Sequence, residues 1–137
     1  MIVVDTNILA YLYLPGEHTS SAEKLLARTD AWAVPVLWRS EFRNILAGCL
    51  RRNTLSFEHA IALQLEAESL MAGNEYEVDS RKVLELVRDS NCSAYDCEFV
   101  ALAQSLNTHI VTADKKILQA FPDTAISLRA GYSLVAK

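Results

Sequence analysis

The chain opens with four apolar residues, breaks to Asp5, Thr6 and Asn7, and returns at once to an apolar stretch over residues 8–14. Short β-branched runs separated by longer stretches of helical period continue from there. Residues 2–4, 32–36, 76–78, 109–111 and 125–128 read as strands. Residues 8–14, stopped by Pro15 and Gly16, read as a helix, as do residues 20–28. Residues 37–52 form a longer one, because Trp38, Phe42, Ile45, Leu46 and Cys49 recur at three- and four-residue spacing. Ser56, Asp79 and Ser93 stand as N-caps for helices over 57–71, 81–89 and 94–106. A short helix over 115–121 is closed by Pro122, and the stretch after Gly131 carries no readable pattern. Strands alternating with helices predict an α/β fold, a three-layer α/β/α sandwich around a central parallel sheet. The length of 137 residues predicts one domain over 1–137.

Composition narrows the function classes. Half the residues are hydrophobic and the net charge is −4, which argues against a passive nucleic-acid coat protein with a basic face. An enzyme that meets phosphates through divalent cations is compatible with that balance. The apolar run near the N-terminus is too short to span a bilayer and lacks a basic lead-in, so no membrane association is expected. Three cysteines without framework spacing fit a reducing cytoplasm.

Four acids then change the picture. In a parallel sheet, ligands bind outside the carboxyl ends of the strands, where strand order switches. Asp5 ends the first strand and Asp114 follows the strand at 109–111; each is also placed to cap the helix after it. Glu41 lies on its helix between Trp38 and Ile45, on an apolar side, with Arg39, Arg43 and Asn44 assigned to the opposite one. Asp96 has Phe99, Val100 and Ala103 on its side and sits in a first turn, where the helix dipole favours an anion. Each alone is ordinary. Together they predict crowded carboxylates, which are unfavourable without a positive group between them. A hard cation suits oxygen donors: Mg²⁺, which needs only one or two carboxylates directly, or Mn²⁺. The histidines and cysteines have no zinc-ligand spacing. An all-carboxylate Mg²⁺ site points to phosphate chemistry, with water activated for in-line attack and the leaving oxygen stabilised. The chain has no GxxxxGK[ST] or GxGxxG cradle.

The segments MIVVDTNILAYL, WRSEFRNIL, SAYDCEFVALAQ and HIVTADKKIL, in this order and spacing, resemble PIN domains, and more narrowly the small ribonuclease toxins of the VapC type. The resemblance runs from Met1 to about Leu128. It implies a Mg²⁺- or Mn²⁺-dependent endoribonuclease with Asp5, Glu41, Asp96 and Asp114 as catalytic and metal-holding residues. It implies supporting polar residues at Asn7 and Thr112, with Thr6 a weaker candidate. It also implies an RNA substrate, a small antitoxin as partner, and a homodimer. Cys97 stands where a small residue is common. Asn7 begins the next helix, where its amide either binds Asp5 or caps the helix; capping is the more ordinary expectation.

Arg39, Arg43 and Lys115 are expected to reach substrate phosphates, with Tyr11, Tyr13 and Trp38 as candidates for base stacking and core packing the ordinary reading of Trp38. The helix over 57–71 has apolar residues on more than one side, so part of it is free to meet another chain. The alternative is a catalytically silent PIN-like module that binds RNA or protein. A haloacid-dehalogenase-like phosphatase is disfavoured because Asn7 stands where a second Asp is needed. A receiver domain is disfavoured because Glu41 and Asp96 lie on helices.

Overall fold

The computed structural model of the protein describes residues 1–135. Five strands form one parallel sheet in the order β3-β2-β1-β4-β5. They are β1 (Ile2–Val4), β2 (Trp32–Pro35), β3 (Glu75–Tyr76), β4 (Ile110–Val111) and β5 (Ala125–Ile126). Among the described residues eight helices connect and flank them: α1 (Thr6–Tyr13), α2 (Thr19–Arg28), α3 (Trp38–Arg51), α4 (Phe57–Met71), α5 (Ser80–Arg88), α6 (Ala94–Ser105), α7 (Lys115–Ala120) and α8 (Leu128–Val135). This is the expected three-layer α/β/α arrangement. β1 and β2 are buried along their whole length, as strands covered on both faces must be. Helix α6 packs on β1, β2 and β4, and its Phe99, Val100 and Ala103 are among the most deeply buried side chains.

The strand order positions the site. β1 is central, with β2 on one side and β4 on the other, paired as Ile2 with Trp32 and Val4 with Val111. The chain leaves β1 in one direction and returns on its opposite flank, so a crevice opens at the carboxyl ends of β1 and β4. Asp5 is the first residue beyond β1. Thr112 is the first beyond β4, and Asp114 is two residues further on.

Several boundaries depart from the sequence reading. The first helix starts at Thr6 rather than residue 8, because Asp5 itself is the N-cap: its carboxylate accepts from the Thr6 amide. Asn7 is therefore inside the helix and caps nothing. β3 comes one residue earlier than expected and stops at Tyr76, leaving Glu77 and Val78 outside it. The last strand ends at Ile126, and Leu128, expected in it, opens helix α8 instead. The Ser127 hydroxyl accepts from the Ala130 amide at 3.2 Å, starting that helix. Gly131, after which the sequence carries no readable pattern, is part of α8. A Cβ there would stand 3.0 Å from a Val111 methyl and 3.5 Å from a Leu25 methyl, so glycine lets α8 lie tight over β4 and α2. Residues 136 and 137 of the expected domain lie outside the described residues.

An ion-pair cluster fixes the start of α3. Glu75 on β3 accepts two hydrogen bonds from Arg39, each 2.7 Å, and a third from the Trp38 indole at 2.7 Å. Arg39 also donates to Glu68 on α4 at 3.1 Å. Trp38 is fully buried beside Phe42, so it is a core residue and not a stacking surface.

Candidate active site

The four acids meet. Asp5, Glu41, Asp96 and Asp114 line one open pocket of about 560 Å³ at the carboxyl ends of β1 and β4, together with Thr6, Asn7, Leu37, Ser40, Asn44, Ile45 and Tyr95. Each acid is delivered by a different element. β1 carries Asp5 at its tip, the first turn of α3 carries Glu41, the first turn of α6 carries Asp96, and Asp114 is the N-cap of α7.

The ordinary capping role and the site role coexist because a carboxylate has two oxygens. Asp5 Oδ1 accepts from the Thr6 amide at 2.8 Å, while Oδ2 accepts from the Thr112 hydroxyl at 2.6 Å. Asn7 Nδ2 stands 3.5 Å from the same Oδ2, the outer limit of a hydrogen bond. Asp114 Oδ1 accepts from the amides of Lys116 and Ile117, at 2.8 and 3.4 Å, leaving Oδ2 for the pocket. The Thr112 hydroxyl also accepts from the Asp114 amide at 3.0 Å, so one side chain ties the two acidic loops together. Across the pocket, the Thr6 hydroxyl donates to Glu41 Oε1 at 2.7 Å. Thr6, the weaker candidate by resemblance, thus makes a shorter contact than Asn7.

The electrostatics are those of a site short of positive charge. Asp5 is 8% exposed. Burial pushes its pKa up from an ordinary 3.8 to about 6, against the pull of Thr112 and Thr6, and the charges of Asp96 and Asp114 add to the rise. Burial also raises Glu41, whose hydrogen bond from Thr6 pulls the other way while Asp5, Asp96 and Glu98 push it further up. Asp96 is raised by burial and by Asp114, with Ser93 and Lys116 opposing. No ion pair among the described residues involves any of the four.

The donor set fits a hydrated hard cation. All the donors are oxygens, and the Asn7 amide oxygen is buried without a partner at the pocket wall. Among the described residues no three acidic side chains converge closely enough to enclose a bare ion by themselves. Mg²⁺ keeps several of its waters and takes only one or two carboxylates directly, so an open pocket of this size matches it better than a tight cage would.

None of the three basic residues expected to reach substrate phosphates lines the acidic pocket. Arg39 is held by Glu75 and Glu68 and is not in the pocket lining, so its expected contact with substrate gives way to a structural role. Arg43 is exposed and does not line the pocket. Lys115 turns to a separate cleft behind Thr112, and Lys116 is the lysine whose charge acts on Asp96. Polar pocket residues that escaped the sequence reading are Ser40, Asn44 and Tyr95. Asn44, assigned to the far side of α3, lines the pocket; its place three residues after Glu41 was the available signal. Tyr95, 62% exposed, stands beside Asp96 and bears no periodic signature. Glu98 is half-buried at the rim, in the adjoining apolar groove with Val36, Tyr76 and Leu84.

Comparison with known proteins agrees with this geometry. The family model for the PIN domain matches residues 2–123. Ribonuclease VapC3 of Pyrobaculum aerophilum is 25% identical over 124 residues, covering 88% of this chain and 95% of the relative. The crystal structure of PAE2754 from the same organism superposes with a TM-score of 0.78 at 20% identity, covering 98% of this chain and 96% of that one. A toxin–antitoxin complex from Klebsiella pneumoniae gives 0.67 at 16% identity over 93% of this chain and 98% of its own. With its acids gathered at the switch in strand order and a family match over most of its length, the chain belongs to the PIN domain family.

Proposed function

We propose that the protein is a divalent-metal-dependent endoribonuclease, the toxin of a toxin–antitoxin pair. The observation that carries this reading is that Asp5, Glu41, Asp96 and Asp114 line one pocket and that, among the described residues, no basic side chain pairs with any of them. Similarity to ribonuclease VapC3 supports RNA as the substrate, and the Klebsiella complex supports an antitoxin partner.

Asp5, Asp96 and Asp114 would hold Mg²⁺ or Mn²⁺, with Glu41 holding one of its waters or a second ion. The bound cation supplies Lewis acidity toward water and phosphate. Thr112 fixes the rotamer of Asp5 and the course of the Asp114 loop, and Thr6 fixes Glu41, so the oxygens are aimed before substrate arrives. Asn44 and Ser40 offer neutral polar contacts on the rim. Net reaction adds water to phosphorus and breaks the bond to the 3′ oxygen.

A homodimer is supported by an exposed apolar stripe on α4, where Phe57, Ile61 and Leu65 follow one another at four-residue steps. A cytoplasmic location is supported by three free cysteines. Among the described residues no helix is long and apolar enough to cross a membrane.

The test is cleavage of end-labelled RNA with Mg²⁺ or Mn²⁺, beside EDTA and the variants Asp5→Asn and Asp96→Asn. Metal-dependent cuts by the parent and none by either variant are expected. Binding of RNA without cuts under any metal would favour the silent module instead.

A further inference from the structure

A second cleft of about 420 Å³ lies on the other side of Thr112 from the acidic pocket. Tyr11, His18, Lys115, Arg129 and Tyr132 are among the side chains that line it. Three connections tie it to the acidic pocket. Tyr11 follows Asn7 by one turn of α1, and Lys115 follows Asp114 directly, while Thr112 lines the cleft and hydrogen-bonds Asp5.

Its charge is opposite to that of the chain as a whole. Lys24 and Arg28 of α2 lie over the Tyr132 ring, 5.7 and 5.8 Å from its centroid. With Lys115 and Arg129 they make four cations at one surface of a protein with net charge −4. None of the four is in an ion pair among the described residues, whereas Arg39 and Arg88 are both paired with acids. Glu17 stands at the edge, 3.4 Å from His18. The Tyr11 and His18 rings meet at 4.6 Å, giving the cleft an aromatic wall.

We propose that this cleft is the binding track for the RNA strand flanking the scissile phosphate, resting on the nuclease reading above. Lys115 and Arg129 meet backbone phosphates, Lys24 and Arg28 extend the track while held against Tyr132, and the Tyr11–His18 wall takes a base. Cations interleaved with aromatic rings are what single-stranded nucleic acid requires. The division of labour has a physical reason. The acidic pocket repels a polyanion, so affinity has to come from a surface beside it.

The test is fluorescence anisotropy of a short labelled single-stranded RNA of mixed sequence, in EDTA so that no cleavage occurs, over a series of salt concentrations. The double variant Lys115→Gln/Arg129→Gln is expected to bind about five- to tenfold more weakly, with a salt slope shallower by about 1.4 for two lost phosphate contacts. Arg51→Gln/Arg52→Gln, which removes the same charge at the far end of α3, should bind like the parent. Equal loss in both doubles would reduce the effect to net charge and overturn the track. Unchanged binding by the cleft double would overturn it too and leave the cleft to a protein partner. Failure of the parent to bind also rejects the track; if that parent still cuts the same RNA in Mg²⁺, the nuclease reading stands without it.

Discussion

Replacing Asp5 by Asn removes a charge that the fold holds at a loss unless a cation is present. The side chain is buried, and its pKa rises from an ordinary 3.8 to about 6 on folding. An acid raised in this way binds its proton more tightly in the folded state. Its contribution to stability is therefore complete below the unfolded value and is lost as pH climbs through about 6. The gap between the two values corresponds to about 3 kcal/mol by linkage, the penalty for holding Asp5 ionised at neutral pH. Asparagine keeps one oxygen to accept from the Thr6 amide, turns its amide nitrogen to donate to the Thr112 hydroxyl where Oδ2 had accepted from it, and drops the charge. Asp5→Asn should thus be more stable than the parent by up to about 3 kcal/mol near neutral pH without metal, a rise of roughly 10 °C in Tm for a chain of this size. Well below pH 4, where both side chains are neutral, the two proteins should be nearly equal. Urea unfolding in EDTA at several pH values reads the difference directly. An Asp5→Asn protein no more stable than the parent near neutral pH, or one whose advantage does not shrink in acid, would refute the electrostatic account of this site.

Adding Mg²⁺ should stabilise the parent and leave Asp5→Asn nearly unmoved, read as a concentration-dependent Tm shift in the first protein only. Thr112→Val keeps the shape but removes the hydroxyl between Asp5 and Asp114; a loss of about 1.5–3 kcal/mol is expected at pH above 7, and less in acid, by urea titration. Glu75→Ala leaves the fully buried Trp38 indole without its acceptor and should destabilise by about 1–3 kcal/mol in chemical unfolding, whereas Arg39→Gln should leave RNA affinity at the parent value in anisotropy titrations. Gly131→Ala should fail to deliver the usual helix gain of about 1 kcal/mol, because the new methyl meets Val111; a clear rise in Tm by calorimetry would contradict the close approach described.

The acids were legible because their placement conflicts with local chemistry. A carboxylate at the tip of a buried strand, and two others among apolar neighbours on helices, break the pattern around them, and the sheet topology then brings them together. The same reasoning missed what depends on distance in three dimensions. Nothing near Arg39 in sequence announces Glu75 or Glu68, which claim its guanidinium from other elements. Gly131 is a poor helix former, and the nearness of Val111 explains why a helix keeps it. Asn7 and Thr6 are neighbours of equal polarity, and the start of α1 at Thr6, two residues earlier than expected, decides which of them reaches Glu41. Lys115 and Lys116 are likewise indistinguishable in sequence, yet α7 sends them to different clefts.

The hydrogen bond between Thr112 and Asp5 joins residues 107 apart along the chain. During synthesis, β1 emerges early and β4 late, so the two loops that Thr112 secures cannot meet until most of the protein has left the ribosome. Asp5 of a nascent chain therefore lacks its Thr112 anchor until β4 has emerged, and the acidic pocket is among the last parts of the fold to be secured.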